Sequence, residues 1–176
     1  MKKQGIFKSF TLKTFAVLFV GFAVACGSKE EKTDQVADEP QETFEYESEG
    51  PAVVTNITLE GNDQMKFNAN EFHIPAGETV TLKLVHTGTM AKEAMGHNFV
   101  LLAQGTDVTD FALKSAEAKE NEYIPKDTDK VLAHTKLLGG GESDTITFSV
   151  AEKGTYDFIC SFPGHAAMMR GKIVVE

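Results

Sequence analysis

Residues 78–86 read Glu78-Thr79-Val80-Thr81-Leu82-Lys83-Leu84-Val85-His86. Val80, Leu82, Leu84 and His86 fall on one face; Thr79, Thr81 and Lys83 fall on the other. A period of two marks a strand with one buried face. The same alternation recurs at Asp144–Val150, where Ile146, Phe148 and Val150 alternate with Thr145, Thr147 and Ser149. It recurs at Gly154–Cys160 (Tyr156, Phe158, Cys160) and at Ile173 and Val175. Turn residues separate these runs: Pro75-Ala76-Gly77, Gly139-Gly140-Gly141, Lys153-Gly154 and Pro163-Gly164. Short strands with regular turns predict an all-β antiparallel sandwich. One segment departs from the pattern. Thr106 to Ala118 places Val108, Phe111, Ala112 and Ser115 at helical spacing, with Thr109 or Thr106 as N-cap, so a short helix is expected inside a long connection.

The chemistry lies at the end of the last such run but one. Cys160-Ser161-Phe162-Pro163-Gly164-His165-Ala166-Ala167-Met168-Met169 sets a thiol, an imidazole and a thioether at spacings of five and four. Soft sulfur beside an imidazole favours copper, Cu(I) especially, over magnesium or calcium. Pro163-Gly164 imposes a turn that lets Cys160 and His165 aim at one point. A trigonal site needs a second imidazole, and His97, in Met95-Gly96-His97-Asn98-Phe99, is the natural candidate. Two imidazoles, a thiolate and a weak axial methionine form the ligand set of a blue-copper electron-transfer centre. Zinc is the rival metal, but it favours Cys, His and carboxylate over a thioether. A Cys-His nucleophile pair is the enzymatic rival, and it lacks an evident orienting group or oxyanion loop.

The chain has 176 residues, with 17 Lys plus Arg against 26 Asp plus Glu and a net charge of −9. An acidic chain without a basic cluster argues against nucleic-acid binding. Residues 1–25 read as a lipoprotein-type signal peptide. They hold Lys2, Lys3, Lys8 and Lys13 and no acid, and the apolar run Phe15–Ala25 is too short for a bilayer core of about 30 Å. Ala23-Val24-Ala25-Cys26-Gly27 is similar to a bacterial lipobox, which predicts cleavage before a lipidated Cys26. Residues 26–52 are then the lipidated cysteine and an acidic disordered tether: Glu30, Glu31, Asp34, Asp38, Glu39, Glu42, Glu45, Glu47 and Glu49 stand against Lys29 and Lys32. Residues 53–176 are the copper-binding domain. From residue 51 onward 11 basic residues face 17 acidic ones, so the domain itself carries −6.

Four segments together resemble the azurins of the cupredoxin family: Gly61-Asn62-Asp63-Gln64-Met65, Met95-Gly96-His97-Asn98, Ala133-His134-Thr135-Lys136-Leu137 and Phe162-Pro163-Gly164-His165. The likeness runs from about residue 53 to 176. It implies a Greek-key β-sandwich with one type 1 copper ion near one end. It implies His97, Cys160 and His165 as equatorial ligands, Met169 as the axial one and the Gly96 carbonyl as a distant donor opposite it. Asn98 and the Phe162 backbone N–H correspond to groups that hold the cysteine loop and tune the sulfur. Two departures stand out. The disulfide usual in azurins cannot form, because the cysteines are Cys26 and Cys160 alone, and the usual buried tryptophan is Phe99.

The function this implies is one-electron Cu(I)/Cu(II) transfer by a membrane-tethered carrier, without catalysis. The alternative is a membrane-tethered copper-binding or chaperone module. Five histidines and no His-X-His pair fall short of a multicopper enzyme. Met95, Phe162, Pro163 and Met168 are expected to form an apolar docking rim around a partly exposed edge of His165. The negative charge favours basic redox partners such as a c-type cytochrome, or a periplasmic reductase. The location implied is the periplasmic side of a Gram-negative-type envelope, with Ser28 favouring the outer membrane. Of the other histidines, His86 reads as interior, His134 as a surface residue and His73 as the cap of a turn.

Overall fold

The alternation of residues 80–86 folds as a strand whose inward row, Val80, Leu82, Leu84 and His86, is fully buried. The computed structural model of the protein describes residues 50–126 and 128–176. The signal sequence, Cys26 and the acidic run to Glu49 lie outside the described residues.

In chain order the elements are β1 (Asn56–Asn62), β2 (Lys66–Phe67), β3 (Glu71–Ile74), β4 (Val80–His86), α1 (Lys92–Met95), β5 (Val100–Leu102), α2 (Val108–Glu117), β6 (Val131–His134), β7 (Ser143–Phe148), β8 (Gly154–Ile159) and β9 (Arg170–Val175). Single 3-10 turns cover Lys119–Asn121 and His165–Ala167. Two sheets face each other, β2-β1-β4-β7 and β3-β9-β8-β5-β6. The inward rows of both, among them Leu59, Leu82, Leu84, Phe99, Leu101, Phe148, Phe158 and Ile173, make one core. Full burial of such side chains contributes roughly 1.5–3 kcal/mol each. Phe99, in the place of the family tryptophan, fills its site against Phe158 and Phe148, with ring centroids at 5.3 and 6.2 Å.

The Greek-key sandwich read from the sequence is present, but the pairing is mixed rather than antiparallel. β1 runs parallel to β4, and β3 parallel to β9. The reason is topological: β3, which lies between β1 and β4 in sequence, belongs to the opposite sheet. The chain therefore crosses to the other sheet and back before β4, which supplies the long connection that a parallel pair requires and a tight hairpin cannot. Alternation records faces and carries no information on direction.

The expected helix is α2, which shuts Val100, Leu102 and Ile159 under Phe111 and Ile124 in a second, smaller cluster. Its cap is neither threonine. Asp107 accepts hydrogen bonds from the backbone N–H of Thr109 and Asp110, both at 2.9 Å, while the Thr106 hydroxyl donates back to Ala103 O. A carboxylate at the N-cap also meets the positive end of the helix dipole. His73 differs as well. It sits within β3 rather than capping a turn, and its ring nitrogens lie 3.1 and 3.3 Å from Glu176 and Glu71 carboxylate oxygens. His134 is exposed.

Candidate metal centre

Cys160 follows the last residue of β8 and Met169 precedes the first of β9. Their backbones join, with Cys160 N–H donating to Met169 O at 2.8 Å. The loop between is wound tightly. Gly164, at φ 83°, takes the left-handed conformation that turns the chain into the His165–Ala167 turn. His165 N–H donates to Phe162 O, and the N–H groups of Met168 and Met169 both donate to His165 O, at 2.9 and 2.8 Å. The result brings His165 Nδ1 to 3.6 Å from Cys160 Sγ.

His97 reaches the same thiol from a different loop, its ring centroid 5.1 Å from that of His165 and its backbone clamped to Leu138 by reciprocal bonds of 3.0 and 2.7 Å. Its Nδ1 lies 4.0 Å from Cys160 Sγ. One ligand atom from each of His97, Cys160 and His165 can be chosen so that all lie within 4.8 Å of one another. All three residues are buried, at 0, 0 and 3% exposure. His97 Nε2 donates to Asn62 O at 2.9 Å, so in the neutral ring the bare nitrogen is Nδ1, which faces the sulfur. His86 stacks beneath it at 4.2 Å and 20°. That ring is satisfied in turn: Nε2 donates to Met95 O at 2.8 Å and Nδ1 accepts from Gly88 N–H.

Met169 is fully buried. A Cβ on Gly61 would stand 2.9 Å from His97 Cδ2 and 3.2 Å from Met169 Cε, so the imidazole and the thioether methyl rest on the same bare backbone. The Gly96 carbonyl oxygen is 3.8 Å from Cys160 Sγ. Asn98 ties the two halves of the site together. Its Oδ1 accepts from Ser161 N–H at 2.8 Å, and its Nδ2 donates to Ser161 Oγ at 2.9 Å and to Glu122 O.

Burial pushes the Cys160 thiol up to about 11, against the downward pull of the Asn98 and Phe162 backbone N–H groups. Burial, reinforced by His97 and His86, takes His165 down to about 4. Burial also lowers His97. At neutral pH the metal-free site is thus a protonated thiol between two neutral imidazoles, and deprotonation of the thiol readies it for a metal.

Chain comparisons agree with this geometry. A profile of the copper binding proteins of the plastocyanin/azurin family matches residues 53–176. The chain belongs to that family. Azurin of Pseudomonas aeruginosa is 39% identical over 133 residues, covering 71% of this chain and 87% of its own. Outer membrane protein H.8 of Neisseria gonorrhoeae is 40% identical over 121 residues, 67% of this chain and 66% of its own, so the chain spans just under two thirds of that relative. Among solved structures, reduced auracyanin from Roseiflexus castenholzii superimposes with a TM-score of 0.65 at 32% identity, covering 71% of this chain and 99% of its own.

The family's metal is copper, and the donors fit it. At about 2.0 and 2.3 Å from one ion, the nitrogen and sulfur distances usual at a zinc-sized divalent ion, ligands 120° apart would stand about 3.7 Å from each other. The two nitrogen–sulfur distances here, 3.6 and 4.0 Å, bracket that value.

The docking-rim residues divide. Met168 is 56% exposed and Pro163 exposed, whereas Met95 and Phe162 are half-buried. Phe162 packs on the His165 ring with centroids at 4.6 Å. The exposed edge of His165 is narrower than expected. Its Nε2 has no hydrogen-bond partner among the described residues, and no side-chain nitrogen sealed from solvent there goes unpartnered, so the residual 3% exposure includes this atom. Several groups around the site escaped sequence reasoning: the Asn62 carbonyl, the Ser161 hydroxyl, Glu122, and Asp63. Asp63 accepts from Thr89 N–H at 2.8 Å and so holds the Asn62 loop against the loop after β4. The Gly61-Asn62-Asp63 segment did signal importance, but a backbone carbonyl leaves no trace in residue identity.

Proposed function

We propose that the protein is a one-electron carrier whose copper is held by His97, Cys160 and His165, with Met169 as axial ligand and the Gly96 carbonyl as a distant donor. The observation that carries the reading is the convergence of one donor atom each from buried His97, Cys160 and His165 to within 4.8 Å of one another. Bound copper supplies reversible exchange of one electron. The chain supplies rigidity. His97 is fixed by Asn62, His86 and Leu138, and the Cys160–Met169 loop is bound to itself and to Asn98, so the ligands resist rearrangement when the charge changes. The N–H groups of Asn98 and Phe162 aimed at the sulfur stabilise its thiolate form. His165 Nε2, the polar edge nearest solvent, is the route by which electrons enter and leave. The chaperone alternative is disfavoured by the same burial, because metal delivery needs ligands that an acceptor can reach.

Lipidation at Cys26 and an acidic tether would hold this domain at the periplasmic face of an envelope membrane. The match to a protein named for the outer membrane supports that membrane. The redox partner is proposed to be a c-type cytochrome or a periplasmic reductase. The deciding experiment is a visible absorption spectrum with added Cu(II), followed by voltammetry. An intense blue colour and a reversible one-electron wave are expected; a colourless cupric protein would overturn the reading. Mass spectrometry of the mature chain should show an acylated Cys26 as its first residue.

A further inference from the structure

A groove of about 440 Å³ opens beside the ligand loop, lined by Lys66, Phe67, Asn68, Asn70, Met168 and Arg170 among others. Both of its cations adjoin the metal centre. Arg170 follows Met169 directly. Lys66 is the register partner of Asn62, whose carbonyl receives the His97 N–H. Met168, more than half exposed, is bonded through its own N–H to His165 O. No carboxylate lines this groove, and among the described residues neither Lys66 nor Arg170 forms an ion pair.

Asp63, Glu122 and Glu142, around the ligand loops, are spent internally, and although Arg170 also lines an adjoining cavity with Lys172, Glu71 and Asp157, the two cavities together hold three cations against two carboxylates. Asp63 is taken up by Thr89 and Met90, Glu122 by Leu137 N–H, and Glu142 by Gly139 N–H and Lys92. Residues 160–169 hold no charge. Glu93, on α1, is not part of the groove. A domain of net charge −6 therefore presents two free cations and an exposed thioether beside its electron port. Within a Debye length of about 8 Å it is this local excess of cations, not the distant net charge, that an approaching surface meets.

We infer that this groove docks an acidic, carboxylate-bearing face of the redox partner, with Met168 as its apolar contact. The inference rests on the electron-carrier reading and reverses the sign of partner that the net charge alone suggests. Apolar contact flanked by unpaired charge suits a small, transient interface.

The test compares Lys66→Glu/Arg170→Glu with Lys83→Glu/Lys153→Glu, a charge-matched pair at exposed lysines outside the groove. The reduced copper protein is oxidised at low ionic strength by hexacyanoferrate(III), which gains one electron to become hexacyanoferrate(II), or by the cationic tris(phenanthroline)cobalt(III). The groove variant should slow the anionic oxidant about tenfold and speed the cationic one, while the control variant moves either rate less than about twofold. Equal effects from both variants would overturn the proposal. A second measurement needs no electron transfer: hexaglutamate titrated into the reduced protein should shift the amide resonances of Lys66, Asn68, Met168 and Arg170, and the shifts should vanish in the groove variant. Shifts scattered elsewhere, or retention on phosphatidylglycerol vesicles in preference to the peptide, would overturn it. If the native protein passes electrons to neither complex, the carrier reading falls, and the peptide titration alone decides the groove.

Discussion

Two histidines face one thiol, and the chain holds them by different means. His165 lies five residues from Cys160, in a loop that folds largely on itself. Its ring has Phe162 for a neighbour and a free nitrogen at the surface. His97 is built from afar: Asn62 lies 35 positions away, Leu138 lies 41 and His86 lies 11. One ligand is therefore placed by local turn chemistry and left open on one side, while the other is locked by long-range packing. A carrier needs both, a rigid anchor on one side and a contact for the outside on the other.

The comparison breaks outright if the thiol between the two rings is not the dominant donor. Cys160→Ser should lower copper affinity by more than 100-fold and remove the intense visible absorption, as read by competition with a chelator and by spectroscopy. It also breaks if the rings are charged at rest. With the thiol at about 11 and His165 at about 4, copper uptake at pH 7 should release one proton, from Cys160 alone. Apparent affinity should then rise about tenfold per pH unit between roughly pH 6 and 9, and more steeply below about pH 4, where His165 must also lose a proton. Titration calorimetry in buffers of different ionisation enthalpy counts the protons. Two or more at pH 7 would mean that the imidazoles are protonated in the metal-free site.

Smaller changes sharpen the contrast. Asn98→Ala leaves the buried Ser161 N–H unpaired and loosens the cysteine loop. It should cost about 1–3 kcal/mol in urea unfolding and about 10–100-fold in copper affinity. Gly61→Ala pushes only on the anchored side, against His97 Cδ2 and Met169 Cε, and overpacking of this kind costs about 1–3 kcal/mol. Proton resonances of His97 and of the Met169 methyl should move while those of His165 stay in place.

What was legible in the sequence follows the same division. Cys160, His165 and Met169 could be read because one turn brings them together, and turn residues declare themselves. The helix and the inward rows could be read because periodicity survives in residue identity. Strand direction could not, since alternation is the same either way. Asp107 was passed over for neighbouring threonines because capping depends on where the first helical turn begins, which periodicity fixes only to within a residue or two. The Asn62 carbonyl and the stacked His86 ring are contacts across the sandwich, and no local pattern specifies them.

His73, outside the centre, gives the smallest effect and the clearest sign. Burial lowers the titration point of His73, but hydrogen bonds to Glu176 and Glu71 outweigh it, and the net shift is upward, opposite to that of His97 and His165. A raised value means that the folded state holds the proton more tightly than the unfolded chain. The stabilisation is therefore complete below the ordinary histidine value of about 6.5 and is lost as pH climbs through the raised one. The carboxylates are solvent-exposed, so salt screens the pair and the effect is small. Melting temperatures of the native protein and of His73→Gln should differ most near pH 5.5 and converge by pH 9, with the gap at pH 5.5 shrinking in high salt. A gap that widens as the solution becomes alkaline would show that His73 is held neutral, as the histidines at the metal centre are.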